Sequence, residues 1–338
     1  MRILVTGATG YVGSWVAREL AARGHAVRAM ARARSNLSNL TGADVEVVRG
    51  DVLDEASVAD AIRGCEGLVH CAGVIHFHGG DERLRQVNVR GVEVAFGAAL
   101  AAGVRRAVLT SSTSAMGGRR EPSEADEASP LDGGAQGIDY FASKLRGEEA
   151  AMRFLERGLP VVVVRPSVVL GPGDVYRSSA STVLALARGR IPFYVEGGSS
   201  FCDVRDVARG HAEALERGTP GEPYVLGGTN LTTTDLVRRV AQASGRAPPR
   251  RIPYAAALLA AAATEWWDRR RGRESKITVQ LVRASRLYTF VRSDRAVREL
   301  GYAIRPFEET LRDTLAWFLA QGRLAATTPE LRALAAQA

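Results

Sequence analysis

A chain of 338 residues with 46% apolar residues is long enough to bury a full core without disulfides or metals, so we expect a globular protein. The formal net charge of +8 would favour a nucleic-acid or anionic-membrane partner if the basic residues were clustered, but they are spread along the chain. Nucleic-acid binding is therefore not expected. No apolar run reaches ~18 residues, so no transmembrane helix is predicted.

The cysteines and the first residues bear on the compartment. Cys65, Cys71 and Cys202 are widely spaced and lack the paired spacing of a disulfide framework or a zinc site. Met1 leads directly into the apolar run ILV, which predicts structure rather than a signal peptide. Together these features predict reduced thiols in a cytoplasmic protein.

The first half alternates short β-branched runs with longer helical patterns, which predicts successive βαβ units around a parallel sheet. Strands are predicted at RILVT, AVRAMAR, VEVVRGD, GLVHCAG, RAVLTSS and PVVVVRPS. Helices are predicted at Ser14 to Arg23, Glu55 to Arg63, Arg83 to Ala102 and Ala142 to Arg157. The strands are nearly continuous apolar runs, as expected where helices cover both faces of a sheet.

The regular alternation of strand and helix patterns ends after VLGPGD. EPYVLGG predicts one more strand of the sheet, whereas the rest, beginning with a helix at Ser181 to Arg188, is mainly helical. We expect residues 1–170 and 200–228 to form the sheet domain, and residues 171–199 and 229–338 to form a smaller lobe. YAAALLAAAA, followed by TEWWDRRRGR, predicts a helix packed over a pocket, and its tryptophans and arginines leave peripheral membrane contact open.

A glycine pattern joins the first strand to the first helix. In LVTGATGYVGSW, Gly7 permits a tight turn, Gly10 lets the backbone approach a diphosphate, and Gly13 lets the helix pack closely on the strand. The helix N-terminal amides then face the phosphates. Because the pattern follows a strand and opens a helix, it predicts a dinucleotide site.

The end of the second strand, VRAMARARSNL, has no acidic side chain that could accept hydrogen bonds from the ribose hydroxyls of a dinucleotide. Arg32, Arg34 and Ser35 instead offer positive charge and a hydroxyl where a 2′-phosphate would lie, which favours NADP and leaves NAD open. Asp51 can accept from the adenine amino group while Val52 packs on the ring. The small residues of CAG let the cofactor backbone pass.

The stretch YFASK predicts the chemistry. Lys144 is one of only two lysines among 45 basic residues, and it stands one helical turn after Tyr140. Tyrosine, whose unperturbed pKa is about 10, needs a stabilised phenolate to act near neutrality. A lysine on the same face supplies that charge and can also bind the nicotinamide ribose, a geometry that arginine does not reproduce.

A third hydroxyl is expected at the end of a neighbouring strand, where it would polarise a substrate oxygen. The stretch LTSSTSAMG offers Ser111, Ser112 and Thr113, and the residues alone do not choose among them.

Together these motifs resemble an extended short-chain dehydrogenase/reductase of the NAD(P)-dependent epimerase/dehydratase superfamily. TGATGYVG, GDVLD, CAG, TSSTSAMG and YFASK occur in the family's order, and RPSVVLGPGD is similar to the segment that closes on the nicotinamide. Within the family, TGATGYVGSWVAREL and YVLGGTNLTTTDL most resemble the dihydroflavonol-4-reductase-like and hopanoid-associated sugar epimerase branch. The resemblance covers almost the whole chain. It implies a Rossmann-type doubly wound sheet with a smaller, mainly helical C-terminal substrate lobe.

The resemblance also implies roles for individual residues. Ser112 is implied as the catalytic serine, Tyr140 as the acid/base, and Lys144 as the residue that lowers the pKa of Tyr140 and holds the ribose. Cofactor contacts are implied for Gly7, Thr9, Gly10, Tyr11, Val12, Gly13, Arg32, Asp51, Val52, Cys71, Ala72, Gly73, Tyr140, Lys144, Pro166, Val168 and Val169. Asn88 in QVNVRG matches a family asparagine, which we interpret as structural, with a proton-relay role left open.

The predicted activity is hydride transfer between a nicotinamide and a ketone or secondary alcohol. Family dehydratases carry an Asp-Glu pair after the catalytic hydroxyl, where this chain has Thr113 and Ser114, so dehydration is not expected. An NAD-dependent sugar-nucleotide epimerase is the alternative. An apolar pocket wall, to which His76, Met116 and Tyr176 are expected to contribute, favours a hydrophobic or aromatic substrate.

Three further expectations remain. HFH places His76 and His78 on one face of a strand, but no further ligand stands at suitable spacing, so no metal site is predicted. A non-catalytic NADP-binding regulatory protein is a weaker hypothesis, because such relatives lose the tyrosine-lysine pair. The resemblance allows a monomer or a homodimer.

Overall fold

The computed structural model describes residues 1–77, 82–175, 180–275 and 277–336. Its strands are β1 (Arg2–Thr6), β2 (Ala26–Ala31), β3 (Glu46–Arg49), β4 (Gly67–His70), β5 (Arg106–Thr110), β6 (Glu124–Ala125), β7 (Val161–Pro166), β8 (Val168–Leu170), β9 (Phe193–Tyr194), β10 (Gly198–Asp203), β11 (Pro223–Leu226), β12 (Thr229–Thr232), β13 (Arg250–Arg251) and β14 (Tyr288–Val291). Its helices are α1 (Tyr11–Ala22), α2 (Glu55–Ile62), α3 (Glu82–Arg85), α4 (Gly91–Ala101), α5 (Asp139–Glu156), α6 (Ser181–Ala187), α7 (Val204–Arg217), α8 (Thr233–Ser244), α9 (Tyr254–Arg270), α10 (Val279–Ser285), α11 (Asp294–Leu300), α12 (Phe307–Ala320) and α13 (Pro329–Ala335).

Within these residues, seven parallel strands form the main sheet in the order β11-β7-β5-β4-β1-β2-β3. The strand order reverses between β1 and β4, so the carboxyl ends of these two strands open a crevice. The doubly wound parallel sheet predicted from the sequence is thus confirmed, including the late strand in EPYVLGG, which forms the edge strand β11.

Helices cover both faces of the sheet because side chains alternate along each strand. Ile3 and Val5 of β1 belong to the cluster that α1 and α7 cover, whereas Leu4 points into the cluster beneath α2, α4 and α5. All three side chains are fully buried. The crevice at the carboxyl edge is thereby held between two packed cores.

The C-terminal part is mainly helical, as expected, and packs around its own apolar cluster. Leu184 of α6, Val240 of α8 and Leu315 of α12 are buried there. The sequence did not predict the short strands beside this cluster. β10 pairs antiparallel with β12 and parallel with β8 and β14, and β14 pairs with β6. Their runs of two to six residues are too short for a clear alternating pattern.

Several predicted bounds differ from the structure near the crevice. The strands predicted from GLVHCAG and RAVLTSS end at His70 and Thr110, because the small and polar residues that follow leave the sheet. The helix predicted from Ala142 begins at Asp139 and so includes Tyr140. The helix predicted over Arg83 to Ala102 is interrupted by a π-helical turn at Gln86–Arg90.

Among the helices of the described residues, none is long and apolar enough to cross a membrane.

Candidate active site

The glycine loop between β1 and α1 accepts no side chains at two positions. Gly7 has φ +65°, and a Cβ there would lie 2.6 Å from the Ala72 nitrogen. A Cβ on Gly13 would lie 2.2 Å from the Gly7 carbonyl oxygen. Gly10 donates to that same oxygen at 2.9 Å and precedes α1 without a side-chain cap. The first amides of α1 are thus left for a ligand, and this cradle fits the diphosphate of a dinucleotide.

The end of β2 carries exposed positive charge. Arg32 and Arg34 are exposed, and among the described residues neither guanidinium has a hydrogen-bond or ion-pair partner. Arg49 of β3 donates to the backbone oxygen of Arg32 at 2.9 Å and fixes this turn. Two free guanidiniums at this edge are suited to bind a phosphate.

The other predicted cofactor residues line the same edge. Asp51 is half-buried, and its Oδ1 accepts from the Leu53 amide at 3.0 Å. Cys71 accepts from the Thr110 hydroxyl at 3.3 Å, and burial raises the pKa of its thiol to about 11, so the thiol stays protonated. The structure places the remaining ones as follows: Thr9 and Val52 are buried, Val12 and Ala72 are half-buried, and Gly73 is exposed.

Tyr11 joins α1 to the segment after β8. Its Oη donates to the Gly171 carbonyl oxygen at 2.9 Å, so its side chain points away from the glycine loop and only its backbone lies there. Trp15, which sequence reasoning missed, donates to the Pro172 carbonyl oxygen at 2.9 Å. These two bonds fix the GPG segment over α1. Pro166 ends β7, and Val168 and Val169 pair with β10, which places these three predicted cofactor residues on the strands leading into GPG.

Tyr140 lies in the first turn of α5 and is 7% exposed. Burial raises the pKa of its hydroxyl to about 12, and the nearby hydroxyl groups of Ser112 and Ser114 partly offset that rise. The ring packs edge-on against Phe77, with 5.7 Å between centroids. Tyr140 is therefore protonated at neutral pH and can donate a proton.

The structure separates the three candidate hydroxyls. Ser111 donates to the Glu148 carboxylate at 2.8 Å and is committed to a buried ion pair. Thr113 is 5% exposed and begins a 3-10 turn. Ser112 is the candidate that reaches Tyr140, and it also caps that turn by accepting from the Ser114 amide at 3.1 Å. Ser114 was not singled out in the sequence because it is one of several hydroxyls in a row.

Lys144 is one helical turn after Tyr140, as predicted. Its ammonium donates to the Thr110 carbonyl oxygen at the end of β5, at 2.9 Å. Burial lowers the pKa of Lys144 to about 8, and the negative charge of Glu148 opposes that shift. The ammonium faces Gly73, where an added Cβ would lie 3.7 Å from Nζ. The direct lowering of the Tyr140 pKa by Lys144 stays a prediction.

Asn88 in the π-helical turn ties three segments together. It donates to the Val74 carbonyl oxygen at 3.0 Å and to the Ser143 hydroxyl at 2.9 Å, and it accepts from the Val74 amide at 2.9 Å. Gly147 of α5 lets the two helices meet, because a Cβ there would lie 2.3 Å from the Asn88 carbonyl oxygen. These bonds favour the structural role expected for Asn88.

A buried ion pair beneath the site was missed by sequence reasoning. Glu148 of α5 and Arg165 of β7 are both about 95% buried, with the Nε of Arg165 3.1 Å from Oε2 of Glu148 and a second contact through Nη2. Glu148 also accepts from Ser111. Glu148 follows Lys144 by one further turn, so the signal was a carboxylate on the same helical face.

The predicted substrate residues differ in their surroundings. His76 is half-buried in the segment after β4. Met116 is 3% exposed and packs with Ala125, Val225 and Val291, which favours a core role for its side chain. Tyr176 and His78 lie outside the described residues. Within the described residues, no cluster of three His, Cys, Asp or Glu could hold a metal ion.

Helix α10 forms one wall beside Tyr140. The Thr278 hydroxyl donates to the Phe77 carbonyl oxygen at 2.5 Å, and Gln280 exchanges two hydrogen bonds with Asp139, at 2.7 and 3.1 Å. Ala284 and Leu287 pack against the cluster that contains Tyr140. The wall is therefore held by hydrogen bonds at the N-terminal end of α10 and packs through apolar side chains towards its C-terminal end.

Comparison with known proteins identifies the family of this chain. A family model for the NAD dependent epimerase/dehydratase family matches residues 3–227. The chain belongs to this family. Its oxidoreductase members are NAD(P)-dependent, and the resemblance found in the sequence is confirmed.

Proteins with different names align over nearly the whole chain. The "Sterol demethylase protein B" of Methylococcus capsulatus is 33% identical over 96% of this chain and 100% of its own length. A Synechocystis sp. protein named "Putative dihydroflavonol 4-reductase" is 33% identical over 94% of each chain. The crystal structure of a nucleoside-diphosphate-sugar epimerase from Pseudomonas aeruginosa superposes with a TM-score of 0.80 at 28% identity, covering 96% of this chain and 99% of that one.

Proposed function

We propose that this protein is an NADP-dependent oxidoreductase that transfers a hydride between the nicotinamide and a ketone or secondary alcohol of a hydrophobic or aromatic small molecule. The observation that carries the proposal is the position of the Tyr140 hydroxyl near the Ser112 side chain that follows β5, with Lys144 one turn further along α5 and bonded to the Thr110 carbonyl oxygen. An acid, an oxygen-binding hydroxyl and a cation at the crevice of a doubly wound sheet suit carbonyl reduction.

The roles of the chain's own residues follow from their environment. In the reducing direction, the proton on Tyr140 Oη passes to the substrate oxygen, and burial keeps that proton in place at neutral pH. Ser112 donates a hydrogen bond to the same oxygen and polarises the carbonyl. Lys144 holds its positive charge next to this group and binds the ribose. The nicotinamide cofactor, when bound, supplies the hydride and accepts it in the reverse reaction.

The preference for NADP rests on the end of β2. Arg32 and Arg34 are exposed and have no partner among the described residues, and no acid stands where it would repel a 2′-phosphate. The glycine loop supports the diphosphate in either cofactor, so the choice between NADP and NAD depends on these arginines.

Two observations support the proposal that the substrate is apolar. Phe77 packs on the Tyr140 ring, and Val74 and Leu287 pack against the buried cluster that contains Tyr140, so a substrate that reaches the hydroxyl meets apolar surface. Two relatives bear names that refer to a sterol, which is a largely apolar polycyclic alcohol, and to a dihydroflavonol, which is an aromatic ketone.

An NAD-dependent sugar-nucleotide epimerase is the second candidate, which the family and the Pseudomonas aeruginosa relative favour. The two activities differ in their cofactor balance. A reductase consumes one reduced cofactor per product, whereas an epimerase returns the hydride and leaves the cofactor unchanged. Dehydration is disfavoured by Thr113 and Ser114.

The test is turnover of purified protein on a panel of ketones, secondary alcohols and nucleotide sugars with NADPH and NADH. We expect cofactor consumption with apolar ketones, loss of turnover in Tyr140→Phe, and nearly unchanged NADPH binding in that variant. Epimerised sugar without net cofactor change would favour the second candidate. Binding of NADPH with no turnover on any substrate by wild type would favour a regulatory protein and contradict the proposal.

A further inference from the structure

Helix α9 leaves large apolar side chains in solvent. Leu259 is 73% exposed, Trp266 52% and Trp267 50%. Their spacing of seven and eight residues places them on one side of the helix, at about 100° per residue. The neighbouring helix α10 and its N-terminal segment add Leu281 and Ile277, which is 52% exposed. Solvent-exposed tryptophans in such a group mark a contact surface.

The opposite side of α9 faces the protein. Ala257 and Ala261 are buried and pack with Val282 of α10 and Val195. The acids of α9, Glu265 and Asp268, are half-buried. They lie at least about 120° around the helix from Leu259. The exposed apolar face of α9 therefore contains no carboxylate.

Arginines border the exposed face at its C-terminal end. Arg270 and Arg271 lie over the rings of Trp266 and Trp267, at 4.1 and 4.4 Å from the ring centroids. Arg269 and Arg273 are also exposed in the same run. Tryptophan rings with cations at their rim are the composition of a surface that lies at the lipid headgroup level, and the cations complement anionic phospholipids.

The position of this face relates it to the candidate active site. Helix α10, on which α9 packs, holds Phe77 through Thr278 and α5 through Gln280, and Phe77 packs on Tyr140. The exposed face of α9 is thus the outer surface of the wall next to the candidate acid.

We propose that the outer face of α9 docks on a bilayer that contains anionic phospholipids, and that an apolar substrate reaches the site from the lipid phase. The docking rests on the exposed tryptophans and the arginines at their rim. The clause on substrate entry rests on the proposed function.

Sedimentation with phosphatidylcholine vesicles, with and without phosphatidylglycerol, tests the docking on the full chain. We expect binding to the anionic vesicles that weakens with salt. Trp266→Ser/Trp267→Ser should weaken it by at least about tenfold. Arg270→Glu/Arg271→Glu should weaken it by about thirtyfold or more, because the loss of two cations near such a surface costs about 2 kcal/mol. The matched control is Val297→Ser/Ile304→Ser, two apolar residues equally exposed outside α9 and α10.

Absence of binding to anionic vesicles overturns the proposal, as does equal loss in the control variant. Dimerisation that the tryptophan variant abolishes, without vesicle binding, would assign the face to a second copy of the chain and also overturn it. Turnover of a water-soluble ketone separates the two proposals. Turnover without vesicle binding overturns the docking alone, whereas vesicle binding without turnover supports the docking and overturns the proposed function together with the clause on substrate entry.

Discussion

Lys144 and Thr110 are joined by a hydrogen bond of 2.9 Å from the lysine Nζ to the threonine carbonyl oxygen, which fixes the C-terminal end of β5 against α5. The bond holds one ammonium at the crevice in a buried setting that lowers the pKa of Lys144 to about 8. The charge of this group, and with it the affinity for an anionic cofactor, therefore changes in an accessible pH range.

We predict that NADPH affinity falls as pH rises above about 8. The ammonium form is present below the pKa and is lost above it, so the attraction between Lys144 and the cofactor is complete at pH 7 and fades in alkali. The limiting slope is about tenfold per pH unit for one proton. Fluorescence titration between pH 6.5 and 10 measures it. Lys144→Met should bind weakly at every pH, and an equal slope in that variant would assign the effect to another group.

Arg32→Ser is predicted to raise the KM for NADPH by about tenfold or more, because it removes a charge-assisted contact to the 2′-phosphate. The KM for NADH should change less than about threefold, since NADH lacks that phosphate. Steady-state kinetics with both cofactors measures the split. Arg63→Ser, which changes an exposed arginine beyond the end of α2, is the matched control. Equal changes for the two cofactors would remove Arg32 from the phosphate site.

Gly13→Ala is predicted to destabilise the glycine loop, because its Cβ would lie 2.2 Å from the Gly7 carbonyl oxygen. We expect a loss of about 2–3 kcal/mol in the free energy of unfolding from this overpacking, together with weaker NADPH binding. Gly97→Ala in α4 is the control, because the nearest atom is 3.8 Å away and alanine favours a helix. Urea denaturation compares the variants, and a Gly13→Ala protein as stable as wild type would contradict the close packing.

Glu148→Ala is predicted to cost about 3–5 kcal/mol of the free energy of unfolding, because it leaves the Arg165 guanidinium buried without its counter-charge. Asp60→Asn breaks an ion pair whose side chains are 79% and 70% exposed, and it should cost less than about 1 kcal/mol. Denaturant unfolding measures both. A cost for Glu148→Ala no larger than that for Asp60→Asn would show that the buried pair contributes little.

The sequence predicted the parts of the fold that depend on local pattern. Continuous apolar runs identified the strands of the main sheet, and the one-turn spacing of Tyr140 and Lys144 placed both on one helix, where the structure has them. Glycine spacing identified the loop, because Gly7 and Gly13 are required by short-range sterics.

Local sequence patterns could not predict the contacts between segments that are distant in the chain. Tyr11 and Trp15 bind carbonyl groups about 160 residues away, and nothing in their local sequence indicates those partners. Glu148 and Arg165 pair through the packing of α5 on β7. The consecutive hydroxyls alone gave no basis to choose among Ser111, Ser112 and Thr113, and only the family resemblance implied Ser112. The choice depends on which hydroxyl turns towards Tyr140 after β5 ends.

The central claim is hydride transfer with Tyr140 as the proton donor, and deuterium transfer tests it most directly. Wild type would be incubated with NADPH that carries deuterium at the nicotinamide C4 and with an apolar ketone that it reduces. The account predicts one deuterium on the carbinol carbon of the product alcohol, and no labelled product with Tyr140→Phe. Two results would contradict the account. One is an alcohol that contains no deuterium whichever face of the nicotinamide C4 carries the label. The other is labelled product that Tyr140→Phe forms at the wild-type rate.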